Sequence, residues 1–185
     1  MPNKEKIIRS FFIQTQKCLI LIGMPGSGKT TLGKAIASKL SWAHVDTDFI
    51  FQAWWGTDLE TILKTIGLDG FLKAEEEIIL SLKLNRCIIS TGGSVVYSKK
   101  GMHYLQKLGY IIYLHANLKT LQDRIAKNPE RGMIIKPNQN LEDLFNERSP
   151  LYERYAHFTI STEAPLNQNI KEIITWLSQQ KNEKF

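Results

Sequence analysis

Lys29 and Thr30 end the run Gly23-Met24-Pro25-Gly26-Ser27-Gly28-Lys29-Thr30, in which a glycine, four residues and a second glycine lead into Lys-Thr. Glycines let such a loop curl with its N–H groups pointing inward, where they cradle phosphate oxygens. The run follows the apolar stretch Cys18–Ile22 and opens a stretch of helical composition, 31–40. A helix start adds its dipole and free N–H groups to an anion site. Lys29 would reach the outer phosphates of a nucleotide, and the Thr30 hydroxyl would meet Mg²⁺. Gly26, Ser27, Gly28, Lys29, Thr30 and Thr31 are therefore the candidate nucleotide-binding residues, with ATP and Mg²⁺ as the ligands expected there.

Two further stretches carry chemistry. Trp42 to Asp48 reads as a short strand that delivers Asp46 and Asp48 at its C-terminal end. In a parallel sheet that is where ligands bind. The plainer reading makes both aspartates turn or helix-cap residues. Thr91-Gly92-Gly93-Ser94 follows the apolar run Cys87–Ser90, and its glycines permit close backbone approach to a ligand. A simple turn is the alternative.

These residues need a frame to hold them. Short apolar runs at 18–22, 42–48, 87–90, 110–114 and 158–161 alternate with stretches of helical spacing. That pattern predicts an α/β fold with a five-stranded parallel sheet and helices on both faces. Helices are expected over 31–40, over 49–66 with a break near Gly56, and over 71–84 after a turn at 67–70. Others are expected over 98–108, 117–127, 141–156 with an interruption at Pro150, and 168–179. Glu75, Glu76 and Glu77 then fall near a helix start, where acids are common for dipole reasons alone. Trp54 and Trp55 read as lid or core packing. Residues 1–16 form a basic N-terminal extension, and about 128–140, with Pro129, Gly132 and Pro137, read as a mobile lid carrying Arg131. The whole, 1–185, is expected to be one domain.

Composition removes several classes. The net charge of +6 comes from 24 basic and 18 acidic residues, without a basic block or aromatic-interleaved basic run. That suits anionic small molecules and argues against nucleic acid. The four histidines are dispersed without zinc spacing. Cys18 and Cys87 read as small buried strand residues, not as a disulfide. No apolar run has the length of a membrane span, so the expectation is a cytoplasmic monomer without a membrane partner.

Taken together, the motifs resemble the shikimate kinase family of phosphate-loop kinases. The residues that carry the resemblance are Gly23–Thr30, Asp46-Thr47-Asp48, Gly67-x-x-Gly70-Phe71-x-x-x-Glu75, Thr91-Gly92-Gly93, Arg124, Arg131 and Glu147-Arg148-Ser149-Pro150-Leu151-Tyr152. The resemblance implies strand order 2-3-1-4-5 and phosphoryl transfer from ATP to a hydroxyl of shikimate, a step toward aromatic amino acids. It further implies Asp46 beside Thr30 at Mg²⁺, and Asp48 on the acceptor hydroxyl as a catalytic group with Lys29 and Arg131. Glu75, Gly92, Gly93 and Arg148 would line the acceptor site, and Arg124 would lie against adenine.

Three positions depart from the family pattern. Leu72 stands where the family has an acceptor-binding arginine, Ser94 replaces the third glycine of the loop, and the lid stretch reads Arg131-Gly132-Met133-Ile134 where a proline usually follows the arginine. Lys73 is next to Leu72, but one helical step turns a side chain by about 100°. The departures spare the ATP half. They leave open an acceptor with both carboxylate and ammonium, such as a hydroxy amino acid, and a non-catalytic ATP-binding relative as further readings.

Overall fold

The computed structural model describes residues 17–127 and 139–180. Five strands form one parallel sheet: β1 (Cys18–Ile22), β2 (Ala43–Asp46), β3 (Cys87–Ser90), β4 (Gly109–His115) and β5 (Phe158–Ser161). Their order is β2-β3-β1-β4-β5, as the resemblance implied. β1 lies in the middle, in register with β3 through Leu19–Ile88 and with β4 through Leu19–Tyr110. All five of its residues are fully buried, because helices cover both faces. A strand buried on both sides carries apolar residues without alternation, and Cys-Leu-Ile-Leu-Ile does so.

The helices are α1 (Lys29–Leu40), α2 (Thr47–Trp55), α3 (Leu59–Ser81), α4 (Lys99–Leu108), α5 (Leu118–Ala126), α6 (Leu141–Tyr155) and α7 (Leu166–Gln179). One apolar cluster packs Ile20, Ile22, Ile89 and Tyr113 against Ile79, Met102, Leu105 and Tyr152 on one face of the sheet. A second packs Leu19, Leu21, Ile88 and Ile112 against Leu32, Ile36, Ile173 and Leu177 on the other. A third, smaller cluster holds α2 to α3 through Phe51, Ile62, Phe71 and Ile78. The Phe51 and Phe71 rings lie 4.6 Å apart, and burying each such side chain is worth about 2 kcal/mol.

Several local expectations need correction. The strand expected over 42–48 ends at Asp46, and Asp48 lies in the first turn of α2, where its N–H donates to Asp46 Oδ1 at 3.1 Å. The turn expected at 67–70 is absorbed into α3, which kinks only at Gly67 (φ 69°). Glu75 is consequently deep inside a long helix, not near its start. Pro150 does not interrupt α6, which runs through it between the buried anchors Arg148 and Tyr152. Trp54 and Trp55 are not core residues: they stand 58% and 43% exposed. The loop after β3 contains a short 3₁₀ turn, Val95–Tyr97, that periodicity did not reveal.

Cys18 and Cys87 are in fact buried and reduced, with their sulfurs 3.6 Å apart on neighbouring strands. The N-terminal extension 1–16, Arg131 and residues 128–138 of the expected lid lie outside the described residues.

Candidate active site

The C-terminal ends of β1, β2 and β3 open into a cleft of about 690 Å³. Its floor at one end is the loop from Gly23 to Gly28. Gly26 and Gly28 have φ of 81° and 93°, in the left-handed region that glycine alone adopts without strain. At Gly23 a Cβ would come within 2.6 Å of the Leu114 carbonyl and 2.9 Å of Ser27 Oγ, so the loop folds tightly against β4. α1 starts at Lys29 with no side-chain cap and no acid in its first turn, whereas α2 to α6 each begin with a capping side chain: Asp46, Asp58, Ser98, Asn117 and Asn140. An uncapped N-terminus keeps its first-turn amides, including those of Lys29 to Thr31, for an anion. Ser27 Oγ beneath the loop is buried without a hydrogen-bond partner among the described residues. Lys29 Nζ turns over the loop and donates to the carbonyls of Gly23 and Met24 at 2.8 and 2.9 Å.

Thr30 Oγ1 donates to Asp46 Oδ2 at 2.8 Å, and the other oxygen of Asp46 is held by the Asp48 amide. Two hard oxygen donors at the mouth of a phosphate loop fit Mg²⁺, which keeps several waters and completes its shell with phosphate oxygens. No cage of three or more His, Cys, Asp or Glu side chains occurs among the described residues. Beneath this pair, Ser90 Oγ donates to the Lys29 carbonyl at 3.1 Å and lies 2.9 Å from His44 Nε2, tying β2 and β3 to the start of α1.

The other end of the cleft is lined by Asp48, Gly92, Gly93 and Arg148, and the buried Glu75 carboxyl lies behind Gly92. A Cβ on Gly92 would collide with Glu75 Oε1 and come within 2.8 Å of Asp48 Oδ1, so both carboxylates press on this glycine. The Gly92 amide donates to Thr47 Oγ1 at 3.1 Å. A Cβ on Gly93 would stand 3.1 Å from Arg148 Nη1, and the Gly93 carbonyl accepts from Tyr152 Oη at 2.6 Å. Arg148 is only 2% exposed.

Glu75 is 5% exposed, and its carboxyl is pushed up to about 8. Burial is the main cause. The Asp48 charge adds to it, while the adjacent Ser94 hydroxyl, Arg148 and Lys29 oppose it. Among the described residues Ser94 Oγ finds no partner in good hydrogen-bond geometry. Leu72 is half-buried on α3, and Lys73 points to solvent and is not among the residues lining the cleft.

Behind the loop a second cleft of about 420 Å³ is lined by Gly26, Thr31, Arg124 and Asn169 among others. Arg124, in the last turn of α5, donates to the Thr162 carbonyl at 2.6 Å, to Thr162 Oγ1 at 3.0 Å and to the Gly26 carbonyl at 3.3 Å. Its guanidinium is thereby fixed beside the phosphate loop.

The chain matches the family model described as "Shikimate kinase" over residues 25–178. It belongs to the shikimate kinase family. The shikimate kinase of Haemophilus influenzae is 35% identical over 160 residues, which cover 84% of this chain and 87% of that protein. That of Pasteurella multocida is 38% identical over 149 residues, covering 78% and 85%. The solved structure of shikimate kinase from Acinetobacter baumannii in complex with shikimate superposes with a TM-score of 0.85 at 26% identity, covering 95% of this chain and 99% of that one. A gluconokinase from Sinorhizobium meliloti shares the fold at a TM-score of 0.56 and 15% identity. Family membership makes the chain an ATP-dependent small-molecule kinase.

The sequence reading did not single out several residues at these clefts. Gln52 lies one helical turn after Asp48 and lines the same cleft, so helical spacing from Asp48 would have found it. Lys64 also lines the cleft and pairs with Glu60 at 2.6 Å. Tyr97 and Thr162 carry no sequence signal, because only the fold brings them to Arg148 and Arg124.

Proposed function

We propose that this protein is a shikimate kinase that transfers the γ-phosphoryl group of ATP to a hydroxyl of shikimate, giving shikimate 3-phosphate. One observation carries the reading: a phosphate loop lies at one end of a single cleft, and Asp48, Gly92, Gly93 and Arg148 line its other end, with the buried Glu75 carboxyl behind Gly92. Its membership of the family and the shikimate-bound relative from Acinetobacter baumannii support the same acceptor.

Phosphoryl transfer asks the protein for positioning and for neutralisation of spread-out negative charge. Lys29 leaves the Gly23 and Met24 carbonyls for the phosphates. Thr30 and Asp46 hold Mg²⁺, which when bound screens the phosphate oxygens. Asp48 accepts the hydrogen bond of the attacking hydroxyl and takes its proton as the bond to phosphorus forms. Arg148 grips the acceptor carboxylate, the bidentate pairing for which a guanidinium is shaped. Glu75, protonated at neutral pH, donates a hydrogen bond without adding a second negative charge beside Asp48. Arg124 packs against the base; the role expected of Arg131 falls outside the described residues. The working unit is a single domain over 1–185, a cytoplasmic monomer. No helix among the described residues is long and apolar enough to cross a membrane.

ADP release with Mg-ATP is the deciding measurement, run with and without shikimate and then with homoserine, serine, threonine and gluconate. Shikimate-dependent turnover is expected. Turnover only on another acceptor would sink this assignment and move it to a hydroxy amino acid or sugar acid; silence with every acceptor would mark a non-catalytic relative.

A further inference from the structure

Arg148 is a nearly fully buried cation that meets two tyrosines, Tyr152 on its own helix and Tyr97 on the turn after β3. Its Nε donates to Tyr97 Oη at 3.1 Å, and its Cζ lies 5.0 Å from the centre of the Tyr97 ring. Tyr97 ends the 3₁₀ turn Val95–Tyr97, which follows the Gly92-Gly93 loop with one residue between. The turn is closed by the Tyr97 amide on the Ser94 carbonyl at 3.0 Å and anchored by the buried Val95 and Val96. The segment that lines the acceptor end with backbone therefore also fixes the ring that meets Arg148. A guanidinium is planar, so holding Nε and one face sets where its two terminal nitrogens point. Nη1 already lies on the Gly93 side of the group, 3.1 Å from where a Cβ would stand. Arg148 is the one arginine among the described residues lining this cleft, so no second guanidinium there shares its duty.

We propose that Tyr97 is a positioning residue: it holds the Arg148 guanidinium in the plane in which its terminal nitrogens take a carboxylate of the acceptor. This rests on the shikimate kinase reading above and adds a residue to it. Tyr97 touches neither nucleotide nor reacting hydroxyl, so its effect falls on acceptor affinity.

The test is steady-state kinetics of Tyr97→Phe and Tyr97→Leu, each checked by thermal melting, beside the same substitutions in an Arg148→Lys background. Losing a hydrogen bond to a charged group predicts that Tyr97→Phe raises KM for shikimate about tenfold, with kcat within about twofold and KM for ATP unmoved. Tyr97→Leu, which also loses the ring face, should raise it about 30-fold. In the Arg148→Lys background Tyr97→Phe should change KM by less than about twofold, because lysine has no Nε–H to hold. An unmoved shikimate KM in Tyr97→Phe would overturn the proposal. So would a lowered melting temperature with kcat and both KM values changed alike, or an equal effect in the lysine background. If Tyr97→Leu fails to fold, Tyr97→Phe decides alone, since it keeps the ring. Wild-type protein that ignores shikimate would overturn the function itself; wild-type turnover with unmoved variants would overturn only the role of Tyr97.

Discussion

At the phosphate end of the cleft, the groups open to a ligand are mostly backbone: loop amides, glycines at positive φ and an uncapped helix start, all within Gly23–Thr31. At the acceptor end they are side chains from separate elements: Asp48 on α2, Glu75 on α3, and Arg148 on α6, gathered around Gly92 and Gly93. A backbone site depends on glycine and on local geometry, so it tolerates little change and one contiguous motif spells it. A side-chain site is assembled from distant positions, and a single substitution can retune it without disturbing the sheet. The departures from the family pattern fall on the acceptor side and on the lid stretch, and the nucleotide loop is intact.

Substitutions should separate the two ends. The largest effect belongs to groups that serve the reacting phosphoryl group. Lys29→Met and Asp48→Asn should each lower kcat by about 10³-fold, the one from the phosphate end and the other from the acceptor end. If Asp48→Asn instead altered only the shikimate KM, Asp48 would merely bind. Arg148→Lys comes next, with KM for shikimate raised about 100-fold and KM for ATP unchanged; a shift in the ATP constant would break the division of the cleft.

A smaller effect of opposite sign is expected for Leu72→Arg. A second guanidinium should lower the shikimate KM by about tenfold, and no gain would mean that α3 does not aim position 72 at the acceptor. A last effect falls on stability and leaves turnover aside. The Glu75 carboxyl is raised from an ordinary 4.5 to about 8 in the folded protein. The folded state therefore binds more protons than the unfolded chain between these values, and stability falls as pH rises from about 4.5 through about 8. Urea unfolding across that range should show the decline in the wild type and a flatter profile in Glu75→Gln. An equal slope in both would place the buried proton elsewhere.

How far the sequence could be read follows the same division. Gly23–Thr30 announced a phosphate site by itself, and the apolar runs announced a parallel sheet because each is buried on both faces. That Glu75, among three consecutive glutamates, belongs to the acceptor end came from the resemblance, whereas its place deep within one long helix was hidden by Gly67. A glycine at φ 69° reads as a stop, yet here it bends the helix and the apolar face resumes at Phe71. Pro150 misled for a related reason: the buried residues on either side of it, Arg148 and Tyr152, hold α6 together despite the missing N–H. Asp48 belongs to a strand only if alternation continues past Asp46, and the Asp46 cap starts α2 there instead. The contact of Arg148 with Tyr97 carries no sequence signal, since the two are 51 positions apart and meet only through the β3 loop.

The bend at Gly67 divides α3 into two parts with separate obligations. The part before it brings Leu59, Glu60, Thr61 and Lys64 to the rim of the cleft, and the part after it plants Phe71 and Glu75 in the interior. Because the bend uncouples the helical phase of the two, the rim can drift in sequence without rotating Glu75 away from Gly92. A lineage with this architecture can try new acceptors by rewriting one exposed turn of helix while its buried machinery is inherited unchanged.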